Sequence, residues 1–478
     1  MTQCPLVVDL DGTLVNTDML HEYALRLLKD SPLDVIRIPV WLSQGKAVLK
    51  QQLASRTDFD PATLPYNKEL IEWLEQQHAM GRPLVLCTAS DTRIAHAIAE
   101  HLGFFDEVIA SDGLKNMAGH NKAATLQARY GHQGFDYVGN ASPDLLVWKE
   151  ARRAIVVNAS DRLASQAEAC VQVEKRFLRQ PRGISAWRRT LRIHQWLKNL
   201  LIFAPLLAGH LLTDAGAWLS SALAFIAFSL CASVVYIAND LLDLESDRLH
   251  PRKCKRPFAA GVVPAWMGVV IAPLLLLVSV AIGSLVKGDY FLSWLAFYFA
   301  LTCTYSFLLK RLVLLDCLTL AMLYTLRIIA GAAAVGNILS FWLLAFSVFV
   351  FLSLAFVKRY AELEVNILGG NSKLHGRGYH TSDASLIQTM GIVSGYSSAL
   401  VLALYLNSDA VLRLYESPRV IWAAVPLLLF WISWMWMQAH RGNMHDDPLV
   451  FAVKDRTSLI TGACFCGVLA VGAMGVPW

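Results

Sequence analysis

At 478 residues the chain is too long for one ordinary domain, and its net charge of +5 averages two unlike halves. Residues 1–180 hold 19 Lys and Arg against 22 Asp and Glu, whereas 181–478 hold 23 against 15, so an acidic soluble half precedes an apolar, basic one. The nine cysteines are odd in number, scattered and without a CxxC, which argues against a disulfide framework or a zinc site and leaves them as small core residues.

The first residues, MTQCPLVVDLDGT, carry neither a basic region nor a cleavable apolar stretch, so the first half is expected to stay on the cytoplasmic side. Leu6–Leu10 reads as a short apolar strand ending around Asp9, followed by Asp11-Gly12-Thr13. Two Asp two positions apart at a strand end converge at the carboxyl edge of a parallel sheet, where open α/β sheets hold ligands. The stretch from Thr13 to Pro83 is mostly helical in pattern and suits a small cap at about 19–75. A second strand, Pro83–Cys87, ends in Thr88, and Lys122 opens a helix in NKAATLQARYG. A third strand, Phe135–Val138, ends in Gly139-Asn140, with Asp144 four residues on. Asp18, His21, Glu22 and Asp91 lie nearby and read as solvated turn or helix-cap residues.

This ordered set, DxDGT, a strand-end Thr, a Lys and GNxxxD, resembles the haloacid dehalogenase-like (HAD) phosphatases over roughly 1–178. The resemblance implies an α/β Rossmannoid fold with a helical cap and a phosphomonoester substrate. It makes Asp9 the nucleophile and Asp11 the general acid and base. Thr88 and Lys122 would bind the phosphoryl group, and Mg²⁺ would sit between Asp9, the Asp11 carbonyl and Asp144. The family usually has GDxxxD where this chain has Asn140, so the site has one negative charge fewer.

Residues 179–196 form a basic linker, within a segment 175–198 whose interleaved Trp187 and Trp196 suit a membrane interface. Nine apolar stretches follow, at about 197–213, 216–238, 263–286, 290–308, 312–335, 340–357, 388–406, 417–438 and 457–476, most of them near the ~20 residues that cross a bilayer. The first is short and carries Pro205 and His210, which predict a kink. With the start inside, loops 239–262, 309–311, 358–387 and 439–456 carry 14 Lys and Arg, and the outer edges carry Lys287, Arg413 and Arg419. That asymmetry predicts a multi-pass inner-membrane protein, with the first half and loop 239–262 cytoplasmic.

The second stretch ends YIANDLLDLESDRLHPRKCKRPFAAG. Asn239, Asp243 and Asp247 are spaced i, i+4, i+8, which puts them on one helix face, one turn apart. Carboxylates so close repel, and a divalent cation bridging a diphosphate would relieve them. NDxxDxxxD resembles the first acidic motif of the UbiA prenyltransferase superfamily, and with the nine spans the resemblance covers about 185–478 (transferase domain 197–478). A second Asp-rich motif is usual after the sixth span. That place here reads FVKRYAELEVNILGG, which counts against ordinary transfer of a prenyl group to an aromatic acceptor. LRIHQWLKNLLIFAPLLAG, YSFLLKRLVLLD, LRIIAGAAA, KRYAEL and HDDPLVFAVKDR look like the decaprenyl-phosphate phosphoribosyltransferase branch.

That branch implies Mg²⁺-dependent transfer of 5-phosphoribose from phosphoribosyl pyrophosphate (PRPP) to a polyprenyl phosphate. Asn239, Asp243 and Asp247 would hold the metal, with Asp243 and Asp247 central to catalysis. Arg192, Lys198, Lys253, Arg256, Tyr305, Lys310, Lys358, Arg359 and Glu362 would surround the substrates. Arg327 lies within a span, where a charge marks a functional site unless it pairs with a carboxylate such as Asp316. The fused phosphatase would then remove the 5-phosphate, giving a polyprenyl-phosphoribose for cell-surface glycan synthesis. The rivals are an ordinary prenyltransferase with a regulatory or unrelated HAD-like half, and a transporter, which leaves the carboxylates unexplained. No nucleic-acid partner is expected, and the oligomeric state stays open.

Overall fold

The computed structural model describes residues 4–57, 60–112, 116–178, 183–209, 211–337, 339–370, 372–374, 377–408, 415–444 and 447–474, without the side chains at 32 and 47. Residues 179–182 of the linker, His210, Arg413, and His445 and Asp446 of the HDDPLVFAVKDR stretch lie outside the described residues. The chain divides into two compact units, Met1–Leu191 with Ile237–Ala272, and Arg192–Tyr236 with Pro273–Trp478.

The first unit is built on a six-stranded sheet, all of whose pairs are parallel: β1 (Leu6–Val8), β2 (Leu84–Asp91), β3 (Glu107–Ser111), β4 (Asp136–Gly139), β5 (Arg153–Val157) and β6 (Gln172–Phe177). Their order is β3-β2-β1-β4-β5-β6. β1 is central because LVV is apolar on both faces and wholly buried, the signature of an interior parallel strand. Leu6 pairs with Leu84 on one side and Asp136 on the other. The order turns back across β1, so the carboxyl ends of β1 and β4 flank the crevice where such sheets bind ligands.

Two of the three expected strands are close to the observed ones, and β2 is longer. It continues to Asp91, but its pairing with β3 shifts between Cys87 and Asp91. Thr88 therefore stands inside the strand, where regular pairing breaks, and not at its end. Between β1 and β2 the chain forms helices Met19–Asp30, Ile38–Ser43, Lys46–Arg56 and Lys68–Ala79. Met19, Tyr23, Leu27, Trp41, Leu49 and Leu53 close the first three of these over a shared apolar core. Asp18 caps the first helix through Leu20 N, and Asp91 caps Thr92–Leu102 through Arg93 N.

Among the described residues, seven helices are long and apolar enough to cross a membrane: Ala215–Leu242, Ala265–Gly283, Leu315–Val335, Phe341–Leu368, Thr381–Leu406, Pro418–His440 and Arg456–Met474. Phe291–Phe307 is apolar but shorter, at 17 residues. The expectation of nine spans is thus corrected at 197–213, where the described residues form a 3-10 segment, Ile193–Phe203, and a short helix, Ala204–Ala208. Pro205 opens that helix because it has no N–H to donate and its ring cannot continue an α-helix through the preceding turn. Lys198 and Asn199 are buried and bonded to polar partners in the second unit. Phe341–Leu368 runs well past its apolar stretch and so carries Lys358, Arg359 and Glu362 on the same rigid element.

Candidate active sites

At the carboxyl edge of the sheet, Asp9, Asp11, Thr88, Lys122 and Asp144, all singled out from sequence, come together. Lys122 Nζ lies 2.6 Å from Asp9 Oδ1 and donates to Tyr137 Oη at 2.9 Å. Tyr137 in turn donates to Asp144 Oδ1 at 2.9 Å. Asp144 Oδ2 accepts from the backbone N–H groups of Asn140 and Ala141, both at 2.9 Å. Asp11 accepts from Met19 N–H and from the Ser90 hydroxyl, each at 2.8 Å. Thr88 is buried and its hydroxyl accepts from Ser90 N–H. Ser90 and Tyr137 were not singled out from sequence, since a Ser after a strand and a Tyr within one carry no motif of their own.

Gly12 makes the turn that follows the two aspartates. Its φ is +73°, and a Cβ there would stand 2.1 Å from Asn140 Nδ2. The loop after β1 and the loop after β4 are thereby packed against each other. Burial raises the Asp9 carboxyl to about 7; Lys122 opposes the shift and Asp144 and Asp11 add to it. Burial also raises Asp11, helped by Asp18 and opposed by its two hydrogen bonds. Burial works against the charge of Lys122, but Asp9 outweighs it and lifts the ammonium above its usual range.

A divalent cation fits this site. Asn140 Oδ1 is buried and accepts no hydrogen bond, a cost that an oxygen-seeking cation would remove. Asp9, Asp144 and the Asp11 carbonyl supply further oxygens. Among the described residues no three His, Cys, Asp or Glu side chains form a ready metal cage. Here the reason is the mixed set of donors, two carboxylates with an amide and a carbonyl. A cavity of about 470 Å³ opens over these groups, walled by Lys46 and Lys50 of the cap and by Pro264, Ala265 and Trp266.

In the acidic stretch the helix Ala215–Leu242 ends and a short helix, Leu244–Leu249, begins, with Asp243 at the junction. Backbone bonds from Asp243 N to Asn239 O (2.9 Å) and from Asp247 N to Asp243 O (2.8 Å) keep the three positions one turn apart across the break. Asp247 is buried. Arg256 Nη1 bridges Asp247 Oδ2 at 2.5 Å and Asp240 Oδ1 at 3.1 Å. Asp240, which lies beside the expected set, therefore shares the Arg256 guanidinium with Asp247. Asp247 Oδ1 accepts no hydrogen bond, with Lys253 Nζ 3.8 Å away. A buried carboxylate oxygen left open beside two cations suits a cation-bridged diphosphate.

Glu22 is not the solvated side chain expected. It accepts a two-pronged ion pair from Arg248, at 3.0 and 2.8 Å, and a bond from Thr17. Burial acts against its charge, and Arg248 reverses this to hold the carboxyl below its ordinary range.

In the second unit the cations form two clusters. Lys198 Nζ lies 2.7 Å and Lys358 Nζ 3.6 Å from Asp447 Oδ2, and Tyr324 donates to the same carboxylate at 3.1 Å. Burial works against the Asp447 charge, but the two lysines hold its carboxyl well below the usual range. Asp447 was missed as a site residue, although it lies in the HDDPLVFAVKDR stretch. Arg327 does not pair with Asp316. Its Nε donates to Asn199 at 2.8 Å and its Nη2 to Tyr298 at 3.0 Å, with Tyr324 under the guanidinium.

Asp316 instead pairs with Arg359 at 2.5 Å and with Arg377 at 3.2 Å. Arg359 is fully buried and also pairs with Glu362. Arg377 reaches Tyr305 at 3.4 Å. The Arg192 guanidinium lies 4.8 Å over the Tyr236 ring, and Lys310 sits in the turn Leu309–Arg311.

Comparison with known proteins matches the UbiA prenyltransferase family at residues 202–459 and the haloacid dehalogenase-like hydrolases at 6–145. The chain is 37% identical over 463 residues to the uncharacterized protein y4nM of Sinorhizobium fredii, covering 96% of this chain and 89% of that protein. It is 37% identical over 291 residues to the nodulation protein NoeC of Azorhizobium caulinodans, covering 59% of this chain and 90% of that one. It is 31% identical over 294 residues to a decaprenyl-phosphate phosphoribosyltransferase of Mycolicibacterium smegmatis, covering 60% of this chain and 92% of that enzyme. With more than half its length matching that profile and apolar helices to carry it, the chain belongs to the UbiA prenyltransferase family, as a multi-pass membrane enzyme bearing an amino-terminal haloacid dehalogenase-like domain.

Proposed function

We propose that the membrane half transfers 5-phosphoribose from PRPP to a polyprenyl phosphate, and that the HAD-like half then removes the 5-phosphate. The observation that carries the reading is the Lys198–Asp447–Lys358 cluster beside a helix that bears KRYAEL where a second Asp-rich motif would stand. A site that receives an anionic acceptor needs cations there more than a second metal-binding carboxylate pair. The likeness to the decaprenyl-phosphate phosphoribosyltransferase supports it.

In the transfer step an acceptor phosphate oxygen bonds to the anomeric carbon, and the bond from that carbon to the diphosphate breaks with its electron pair leaving on the diphosphate. The acceptor is already an anion, so no strong base is required. Asn239, Asp243 and Asp247 would hold Mg²⁺, whose charge stabilises the leaving diphosphate, with Lys253 and Arg256 beside it. Lys198, Lys358 and Arg327 would neutralise and orient the phosphates.

In the second step Asp9 attacks phosphorus, the ester P–O bond breaks, and Asp11 gives its proton to the departing sugar oxygen. Asp11 then takes a proton from water, which hydrolyses the aspartyl-phosphate to phosphate and restores Asp9. Burial, which raises the Asp11 carboxyl, favours the proton-carrying form that a donor needs. Mg²⁺ held by Asp9, Asp144, Asn140 and the Asp11 carbonyl would offset charge on the phosphoryl oxygens, with Lys122 alongside. The distribution of basic residues supports an inner-membrane protein whose HAD-like half and acidic loop 239–262 face the cytoplasm.

The test is direct. Membranes containing the enzyme are given labelled PRPP, polyprenyl phosphate and Mg²⁺, and the lipid extract is examined for label and for phosphate content. Label entering the lipid supports the reading. No label from PRPP, with label passing from a labelled prenyl diphosphate to an aromatic acceptor, shows ordinary prenyl transfer in its place.

A further inference from the structure

We propose that the loop following the acidic motif is a second cap of the phosphatase pocket, and that the pocket takes a phosphomonoester carried on a membrane lipid in preference to a free one. This rests on the phosphatase reading of Asp9 and adds the element of the fold that would select a lipid-borne substrate for that site.

Three observations carry it. First, the wall of the cavity over Asp9 and Lys122 includes Pro264, Ala265 and Trp266. These are the residue before and the first two residues of Ala265–Gly283, a helix long and apolar enough to span a membrane, with a mean hydropathy of 2.5. Whatever lies against Trp266 lies at the end of that span, the depth at which Trp is favoured. A soluble sugar phosphate gains nothing from that wall, whereas a lipid-borne phosphate is presented there.

Second, the loop is clasped to the HAD-like cap by contacts that play no part in the chemistry. Arg248 grips Glu22 with both prongs of its guanidinium and also donates to Thr63 O at 3.4 Å and to Ala259 O at 3.3 Å. The two side chains of the pair are only 6% and 13% exposed. Such a pair is costly to bury unless its partner is always in place. Arg26 Nε adds a bond of 2.6 Å to Glu245, and Lys29 Nζ lies 3.7 Å from the same carboxylate. Gly261, at φ +69°, lies so close that a Cβ would stand 2.4 Å from Asn16 O, beside the catalytic turn.

Third, the cap to which the loop is clasped shows solvent four large apolar side chains, Leu33, Ile36, Val40 and Leu42. In a chain that spans a membrane, a bilayer surface is the occupant suited to such a face. Arg248 and Glu22 are positioning residues, and Trp266 would touch the substrate.

The experiment uses the full-length enzyme in vesicles and measures phosphate release from ribose 5-phosphate and from synthetic farnesylphosphoryl-ribose 5-phosphate. The wild type is expected to favour the lipid substrate in kcat/KM by about tenfold or more. Arg248→Gln should raise KM for the lipid substrate by about tenfold with little change in kcat, and should leave ribose 5-phosphate hydrolysis intact. The reversed pair, Glu22→Arg with Arg248→Glu, should restore the preference, which a generally damaged fold would not do. Trp266→Ala should raise KM for the lipid substrate. Equal kcat/KM for both substrates in the wild type overturns the inference while leaving the phosphatase reading in place, as does an equal loss on both substrates in Arg248→Gln without rescue. Release from neither substrate overturns the phosphatase reading and the inference with it.

Discussion

Asp9 is the single side chain on which the two proposed reactions divide. It is buried, 2.6 Å from Lys122, and distant in sequence from every carboxylate of the acidic motif. Asp9→Asn is nearly isosteric and should cut phosphate release by on the order of a thousandfold or more while transfer continues, as a coupled phosphate assay and lipid labelling would show together. Asp247→Ala should do the converse, lowering lipid labelling by about a hundredfold or more with phosphatase activity retained. Near wild-type labelling in that variant removes Asp247 from the metal site. Glu22 permits a signed pH test. Its carboxyl is held below the ordinary range, so it contributes stability that is fully present above the unfolded value near ~4.3 and is lost as pH falls through the folded value. The difference in melting temperature between wild type and Glu22→Gln should therefore be constant from neutral pH down to about pH 5 and shrink in more acid buffer. A difference that grows on acidification contradicts the ion pair.

Among the elements, the segment Ile193–Phe203 matters most, because where a span was expected the described residues form a 3-10 segment followed by a short helix. Its polar residues are committed to partners: Lys198 to Asp447 at the start of Pro448–Lys454, and Asn199 to Arg327 on Leu315–Val335 and to Ser229 on Ala215–Leu242. An apolar average over 197–213 cannot register such commitments. Asp447→Asn leaves the buried Lys198 and the partly exposed Lys358 without their carboxylate and should destabilise the protein by about 3 kcal/mol. Thermal unfolding in detergent would measure the loss. If Lys198 and Lys358 bind an acceptor phosphate, added polyprenyl phosphate should recover more of the lost stability in Asp447→Asn than it adds to the wild type. Equal shifts in the two proteins would separate the cluster from the acceptor site. The neighbouring Arg359 offers the contrasting case. It was expected at the substrate, yet its pairing with Asp316 and Glu362 makes it a tie between Phe341–Leu368 and Leu315–Val335.

For the whole molecule, the fusion is the feature to test. The intact enzyme, given PRPP, polyprenyl phosphate and Mg²⁺, should accumulate a ribosyl lipid without its 5-phosphate, and Asp9→Asn should accumulate the phosphorylated lipid, separable by mass spectrometry. Chelation of divalent cations should stop both steps. The same phosphorylated product from both proteins would uncouple the halves. Much of this organisation was legible in the sequence. DxDGT, Lys122 and GNxxxD each follow or open an element whose apolar pattern can be read locally, and short spacings place Asn239, Asp243 and Asp247 one turn apart whether or not the helix continues. The apolar helices, too, announce themselves by length and composition. What the sequence could not settle is which charge meets which. Arg248 and Glu22 are 226 positions apart, and Lys198 and Asp447 are 249 apart. A salt bridge depends on the path of the whole intervening backbone and on burial that only packing creates. Tertiary structure alone therefore decided that Arg327 leaves Asp316 to Arg359, that Glu22 is a clasp and not a solvated cap residue, and that the first residues of a membrane helix wall the pocket over Asp9.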